Sequence, residues 1–240
     1  MEERISRTAL LLGQNACEKL NRSRVAVFGV GGVGGFCVEA LVRAGVGAVD
    51  IIDSDCVSES NLNRQIIALK STVGRRKVDV MAERVRDINP DCKVIKHDLF
   101  LTPENSAEID FSDFDYVVDA IDTVAGKVEI IRLSKESGVP VITSMGAGNK
   151  LDPTLFKVTD IKETRVCPLA RVMRSELKKR GITGVKAVWS EEQAVTPDKE
   201  VLAELETDSE KRRFPGSVSF VPSVVGLIVA GEVIKDLAKG

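Results

Sequence analysis

Short apolar runs alternate with amphipathic stretches through the first 145 residues. The pentad Arg24-Val25-Ala26-Val27-Phe28 is β-branched and almost unbroken in hydrophobicity, the pattern of a strand covered on both faces. It runs directly into Gly29-Val30-Gly31-Gly32-Val33-Gly34. Beyond the glycines, Phe36, Val38, Leu41 and Val42 recur at helical spacing, which predicts a helix over 34–44 closed by Gly45. A second strand follows over 48–52. The stretch 77–88 places Val78, Met81, Val85 and Ile88 on one helical face and stops at Asn89-Pro90. A strand over 93–96, a helix opened by Pro103, a strand over 116–120, a helix over 127–137 and a strand over 139–144 continue the rhythm. This alternation predicts an α/β fold built on a doubly wound, mainly parallel, Rossmann-like sheet.

The rhythm changes further on. Residues 156–161 read as a strand of alternating type, 185–190 as another strand, and 222–237 as a final amphipathic helix. Between the strands, 168–180 reads as a basic helix carrying Arg171, Arg174, Lys178, Lys179 and Arg180. Residues 197–213 are highly charged with few large apolar groups, which predicts a mobile loop. The expected organisation is one domain over 1–240. Its nucleotide-binding core spans about 24–150, and extra strands and a C-terminal helix extend the same sheet over about 151–240.

Composition narrows the class. The chain has 240 residues, 43% hydrophobic and 29% charged, as in a soluble globular protein. A formal net charge of -2 removes any overall field toward nucleic acid or membrane, leaving only local patches: the helix at 168–180 and Lys211-Arg212-Arg213. Cys17, Cys37, Cys56, Cys92 and Cys167 form no C-x-x-C pair, which argues against a disulfide framework and a structural zinc site. Near the N-terminus, acids precede a short apolar run, unlike a secretory signal. The late apolar run from Val224 to Ala230 is far shorter than the ~20 residues of a membrane span. A cytoplasmic location and no membrane partner are expected.

Gly29, Gly31, Gly32 and Gly34 let a turn tighten and a phosphate approach the backbone at a helix N-terminus. Asp53, about 20 residues on, suits a ribose hydroxyl. A dinucleotide dehydrogenase shows the same features. Residues past the second strand separate the two: Asn61 and Arg64 lie just beyond it, and Arg64 offers a planar fork for phosphate. Lys77 opens a helix against its dipole, which disfavours a purely structural role. Asp122 ends the fourth strand, at the sheet edge where open α/β folds bind ligands, and is a candidate Mg²⁺ ligand. Asp119, three residues earlier, is expected to point elsewhere. ATP cleavage needs cations of this kind around the polyphosphate.

As a set, Gly29-x-Gly31-Gly32-x-Gly34, Asp53-x-Asp55, Asn61-x-x-Arg64-Gln65, Lys77 and Asp122 resemble the ATP site of the ubiquitin-activating-enzyme superfamily. That superfamily includes the ThiF, MoeB and HesA type adenylyltransferases for sulfur-carrier proteins. The resemblance implies ATP and Mg²⁺ as cofactors, with Asp53 on the ribose, Asn61, Arg64 and Lys77 on the phosphates, and Asp122 on Mg²⁺. Asp55 and Gln65 belong to the same nucleotide-binding set. Arg7 resembles an N-terminal arginine that reaches a partner subunit's ATP site, which implies a homodimer; its alternative is a solvated charge.

The sulfur-carrier branch often carries two C-x-x-C pairs, absent here. Instead, residues 61–69, Val80-Met81-Ala82-Glu83-Arg84, Ile88-Asn89-Pro90, Gly146-Ala147-Gly148 with Asp152-Pro153-Thr154, and Val158-Thr159-Asp160 resemble the tRNA threonylcarbamoyladenosine dehydratase family. The resemblance covers nearly the whole chain. It implies adenylation of the threonyl carboxylate of a modified adenosine beside the tRNA anticodon, then ring closure by the ureido group. Proximity drives that intramolecular step, so no protein nucleophile is needed.

Several residues stay open. Cys167 precedes a helix start, but Pro168 removes a donor there and no His lies nearby in sequence, so a packing or substrate-loop role is expected, with a nucleophile as the alternative. His97, the only histidine, reads as structural or surface, and Trp189 as core, with base stacking as the alternative. The cationic helix is either a tRNA contact or a solvated face. The sequence leaves open a monovalent cation in the loop at 146–152 and names no sulfur-transfer or redox partner. The rival reading is an adenylyltransferase for a ubiquitin-like sulfur carrier; a nucleotide sensor without turnover and an NAD-dependent oxidoreductase stand behind it.

Overall fold

The computed structural model describes residues 3–206 and 215–239. Two helices, α1 (Ser6–Leu12) and α2 (Gln14–Arg22), precede strand β1 (Arg24–Phe28). Gly13, at φ +84°, breaks one helix from the other. The core then alternates: α3 (Gly34–Arg43), β2 (Ala48–Ile52), α4 (Lys77–Ile88), β3 (Lys93–His97), β4 (Tyr116–Asp119), α5 (Val124–Glu136) and β5 (Val141–Ser144). After it come β6 (Phe156–Asp160), α6 (Pro168–Lys179), β7 (Lys186–Ser190), α7 (Lys199–Glu206) and α8 (Phe220–Lys239).

The strands form one sheet in the order β3-β2-β1-β4-β5-β7-β6. Every pairing is parallel except β6 with β7, which is antiparallel. The expected α/β fold with extra strands and a terminal helix is therefore observed. β1 and β4 are buried along nearly their whole length, as their unbroken apolar runs require.

Helix ends follow local chemistry. Gly45, at φ +95°, closes α3: its N–H donates to Val42 and that of Val46 to Leu41, the two bonds of a Schellman motif. α8 buries Val221, Val225, Val229 and Val233, the single face its spacing predicts. It crosses α3 closely because Gly226 has no side chain; a Cβ there would lie 2.9 Å from that of Phe36.

Two expectations fail. Pro103 opens no α-helix; the segment makes only two 3-10 turns, Ser106–Glu108 and Phe111–Asp113, before β4. Residues 199–206, read as mobile loop, form α7, while 207–214 lie outside the described residues. The sequence Lys-Glu-Val-Leu-Ala-Glu-Leu-Glu consists almost wholly of strong helix formers, and its charges masked that propensity.

Candidate active site

β1, β2 and β4 are parallel and end at one edge, so the residues beyond them converge. The Gly29 N–H donates to Ile52 at 2.8 Å and the Ala120 N–H to Phe28 at 2.9 Å, fixing the three strand ends side by side. Gly29 sits at φ +89° with its Cα facing the Ala120 carbonyl; a Cβ there would approach that oxygen to 2.8 Å. Gly34 is packed still tighter, against the Gly29 carbonyl group. Gly31 is different: a Cβ there would meet nothing nearer than Gln65 Nε2, at 3.7 Å. The folded chain alone does not require glycine at 31.

Helix α3 starts above this turn with Val33 as its N-cap residue and no side-chain cap. Uncapped N–H groups and a positive helix end favour an anion. Gln65 is buried beside the turn, and its Oε1 has no hydrogen-bond partner among the described residues. Such a buried acceptor is costly unless a donor, from a ligand or an ordered water, meets it. Arg64 lies across Gly32, its Cγ 3.5 Å from where a Cβ would stand; its guanidinium donates to the Ser60 carbonyl at 2.8 Å and Asn63 Oδ1 at 2.9 Å.

Asp53 binds the turn from below: its Oδ2 accepts from the Val30 N–H at 2.8 Å and its Oδ1 from the Asp55 N–H at 2.9 Å. Lys77 opens α4, as its sequence position predicts, and is buried. Its Nζ reaches Asp55 Oδ2 at 2.7 Å and Asp53 Oδ1 at 3.7 Å. Asn61, also buried, caps its own short turn, its Oδ1 accepting from the Ser58 N–H at 3.1 Å. Asp122 is exposed and makes no hydrogen bond or ion pair among the described residues. The structure thus gathers the glycines, Asp53, Asp55, Asn61, Arg64, Gln65, Lys77 and the Asp122 turn along one edge. Arg7, in contrast, stands on exposed α1.

Asp119 does point elsewhere. It is fully buried, 2.9 Å from Lys127 Nζ, and accepts from Thr143 Oγ1 at 2.5 Å. Lys127 escaped the sequence reading because it lies on the apolar face of α5, with a partner on another element. His97 Nε2 lies 2.8 Å from Asp50 Oδ1, and Arg24 also binds that carboxylate. Burial alone would raise the Asp50 carboxyl, but the hydrogen bonds from His97 and Arg24 hold it below the usual carboxylate range.

Trp189 is core, its Nε1 donating to Thr159 Oγ1 at 3.0 Å. Cys167 is buried in an apolar cluster with Met173 and Trp189, the packing role rather than an open nucleophile. The cationic run on α6 is largely engaged: Arg174 binds Thr164, while Lys179 and Arg180 pair with Glu176. Arg171 and Lys178 remain exposed and unpaired among the described residues. Lys211-Arg212-Arg213 lies outside the described residues. The loop at 146–152 is tied down, the Leu151 and Asp152 N–H groups donating to the Glu192 carboxylate and the Gly216 N–H to Asn149 Oδ1.

Fold and edge define a nucleotide-binding α/β protein with cations poised over a glycine turn. Comparison with known proteins sharpens this. The ThiF family model matches residues 5–239. The tRNA threonylcarbamoyladenosine dehydratase of Bacillus subtilis (strain 168) is 44% identical over 244 residues, covering 100% of this chain and 96% of that protein. The crystal structure of the Escherichia coli tRNA N6-threonylcarbamoyladenosine dehydratase, TcdA, in complex with ATP superposes with a TM-score of 0.88 at 36% identity, covering 99% of this chain and 94% of that one. By contrast, an adenylyltransferase and sulfurtransferase of Meyerozyma guilliermondii is 35% identical over only 53% of this chain and 30% of its own length. The chain belongs to the ThiF family and, within it, to the tRNA threonylcarbamoyladenosine dehydratases.

Proposed function

We propose that this protein is an ATP-dependent dehydratase acting on threonylcarbamoyladenosine in tRNA. The observation that carries the reading is the convergence, on one sheet edge, of an uncapped helix N-terminus, a buried orphan acceptor on Gln65, Arg64, Lys77 and an unpaired Asp122. Whole-length similarity to dehydratases, against half-length similarity to an adenylyltransferase and sulfurtransferase, favours the tRNA substrate over a carrier protein.

In this reading the α3 N-terminus and glycine turn hold the phosphates, while Asp53 orients the ribose. Arg64 and Asn61 turn toward the polyphosphate, and Lys77, already buried beside Asp53 and Asp55, adds fixed positive charge. The threonyl carboxylate attacks the α-phosphorus, pyrophosphate leaves, and a mixed anhydride with AMP forms. The ureido nitrogen of the same nucleoside then attacks the activated carbonyl carbon, loses its proton and expels AMP. Net, one water is removed from the nucleoside and ATP becomes AMP and pyrophosphate.

Mg²⁺ fits the donors present. Among the described residues no cluster of three or more His, Cys, Asp or Glu side chains could hold a metal alone. A single free carboxylate at the site suits Mg²⁺, which takes one or two carboxylates and completes its shell with phosphates and water. Asp122 would hold it, and the ion would offset charge developing on the pyrophosphate.

A homodimer, with Arg7 completing the partner's site, agrees with an exposed apolar surface on α1: Leu10 is 83% and Leu11 88% exposed. A groove of about 520 Å³ beside it is lined by Phe36, Ala40, Ile66 and Leu227. Arg171 and Lys178, two turns apart on one face of α6, are the proposed tRNA phosphate contacts. No helix among the described residues is long and apolar enough to cross a membrane. ATP–pyrophosphate exchange tests the assignment. It is expected to require tRNA carrying the threonylcarbamoyl group; exchange that instead depends on a ubiquitin-like carrier overturns it.

A further inference from the structure

Beneath the Asp122 turn lies an ion pair with both side chains fully buried: Asp119, at the end of β4, and Lys127, in the first turns of α5. An ammonium has three N–H donors. Lys127 places them on Asp119 Oδ2 at 2.9 Å, the Ile121 carbonyl at 3.1 Å and the Ser144 carbonyl at 2.8 Å. Asp119 Oδ1 in turn accepts from the Ile121 N–H at 3.4 Å. The pair therefore grips the N–H and the carbonyl of the same residue, the one immediately before Asp122. Thr143 Oγ1 fixes Asp119 from the neighbouring strand, at 2.5 Å. The helix start presses on the same turn: a Cβ on Gly126 would fall 2.6 Å from Ile121 Cδ1 and 2.9 Å from Thr123 Oγ1.

Asp122 has no side-chain partner of its own among the described residues, so only its backbone, through the direction of the Cα–Cβ bond, places its carboxylate. We propose that Asp119 and Lys127 are positioning residues for the reaction: by clamping the Ile121 peptide between β4, β5 and α5, they aim the Asp122 carboxylate at the metal-bound polyphosphate. A device that served stability alone would not need charge, because well-packed apolar side chains replace buried ion pairs at little cost. This inference rests on the proposed role of Asp122 as the Mg²⁺ ligand.

The test is calorimetric ATP binding with Mg²⁺ and with EDTA, on the full-length protein. The double variant Asp119→Asn with Lys127→Met removes both charges together and avoids stranding one. Its thermal melt establishes that it folds. Its ATP affinity in EDTA is expected to stay within about twofold of wild type, while the affinity gained on adding Mg²⁺ falls by roughly tenfold or more, as for outer residues that orient metal ligands. A folded double variant with the wild-type Mg²⁺ gain overturns the proposal. Should the double variant not fold, Thr143→Val decides, since it loosens Asp119 and leaves the charges in place: a smaller drop in the Mg²⁺ gain supports the clamp, and an unchanged gain overturns it. Asp122→Asn separates the two levels. If it abolishes the Mg²⁺ gain and the clamp variants do not lower it, positioning alone fails; if it keeps the gain, the metal-ligand reading and the proposal fall together.

Discussion

Two glycines of the same turn answer to different forces, and alanine at each separates them. At Gly34 an added methyl would press on the Gly29 carbonyl group, 2.9 Å from its carbon and closer still to its oxygen, with the Ala120 Cβ at 3.4 Å. Backbone must move, so Gly34→Ala is expected to destabilise the fold by about 1–3 kcal/mol or more, the range for overpacking. At Gly31 nothing lies within 3.7 Å, and the site opens toward Gln65 Nε2. There Gly31→Ala should leave stability unchanged or raise it by up to about 1 kcal/mol through a less flexible unfolded chain. For a chain of this size, that is a melting temperature within a few degrees of wild type. Its methyl would nonetheless stand where a phosphate must approach the backbone. Loss of one charge-assisted hydrogen bond costs about 1.5–3 kcal/mol, so the ATP Kd should rise about 10- to 100-fold. Calorimetric titration with Mg·ATP, paired with thermal melts, reads both quantities. A Gly31→Ala protein that melts normally and binds ATP as wild type would refute the claim that this turn is a phosphate cradle.

The same geometry sets other outcomes. Asp122→Asn, at an exposed and unbonded position, should shift stability by less than about 0.5 kcal/mol, while single-turnover adenylation falls by at least about 100-fold. In filter-binding titrations, replacing Arg171 and Lys178 by alanine should weaken tRNA binding and flatten the dependence of log K on log salt by roughly 0.7–0.9 for each phosphate left without its cation. The folded-state pKa of Asp50 lies below its unfolded value, so its bonds to His97 and Arg24 stabilise the fold above about pH 4 and are lost as pH falls through the folded value. Acid unfolding followed by circular dichroism should therefore show a smaller acid-induced loss in Asp50→Asn than in wild type.

The nucleotide half was legible because its signals are local. A strand buried on both faces, a glycine turn and a helix with one apolar face all lie within Arg24 to Gly45, and the Schellman closure at Gly45 is written in that same stretch. Asn61, Arg64 and Lys77 could be placed near the turn because they come after parallel strands that end together. The helices α1 and α2 were not legible: α1 buries no residue and exposes Leu10 and Leu11, while the apolar face of α2 is only Ala16, Cys17 and Leu20, and Gly13 divides the segment. Helix α7 was hidden by its charge. The Asp119–Lys127 pair was invisible for a different reason. Each residue is ordinary in its own window, and only the packing of α5 on β4 and β5 brings the charges together. The cationic helix was read correctly as a helix, yet which of its charges are free depends on Glu176 and Thr164, partners that spacing alone does not rank.

In the proposed function the carboxylate activated at this edge belongs to a tRNA nucleoside. The most direct test is to incubate the protein with ATP, Mg²⁺ and tRNA bearing threonylcarbamoyladenosine, digest the tRNA to nucleosides and weigh the modified adenosine. The expected product is lighter by one water, formed with AMP and pyrophosphate. An unchanged nucleoside under conditions where ATP is fully bound would contradict the proposed function.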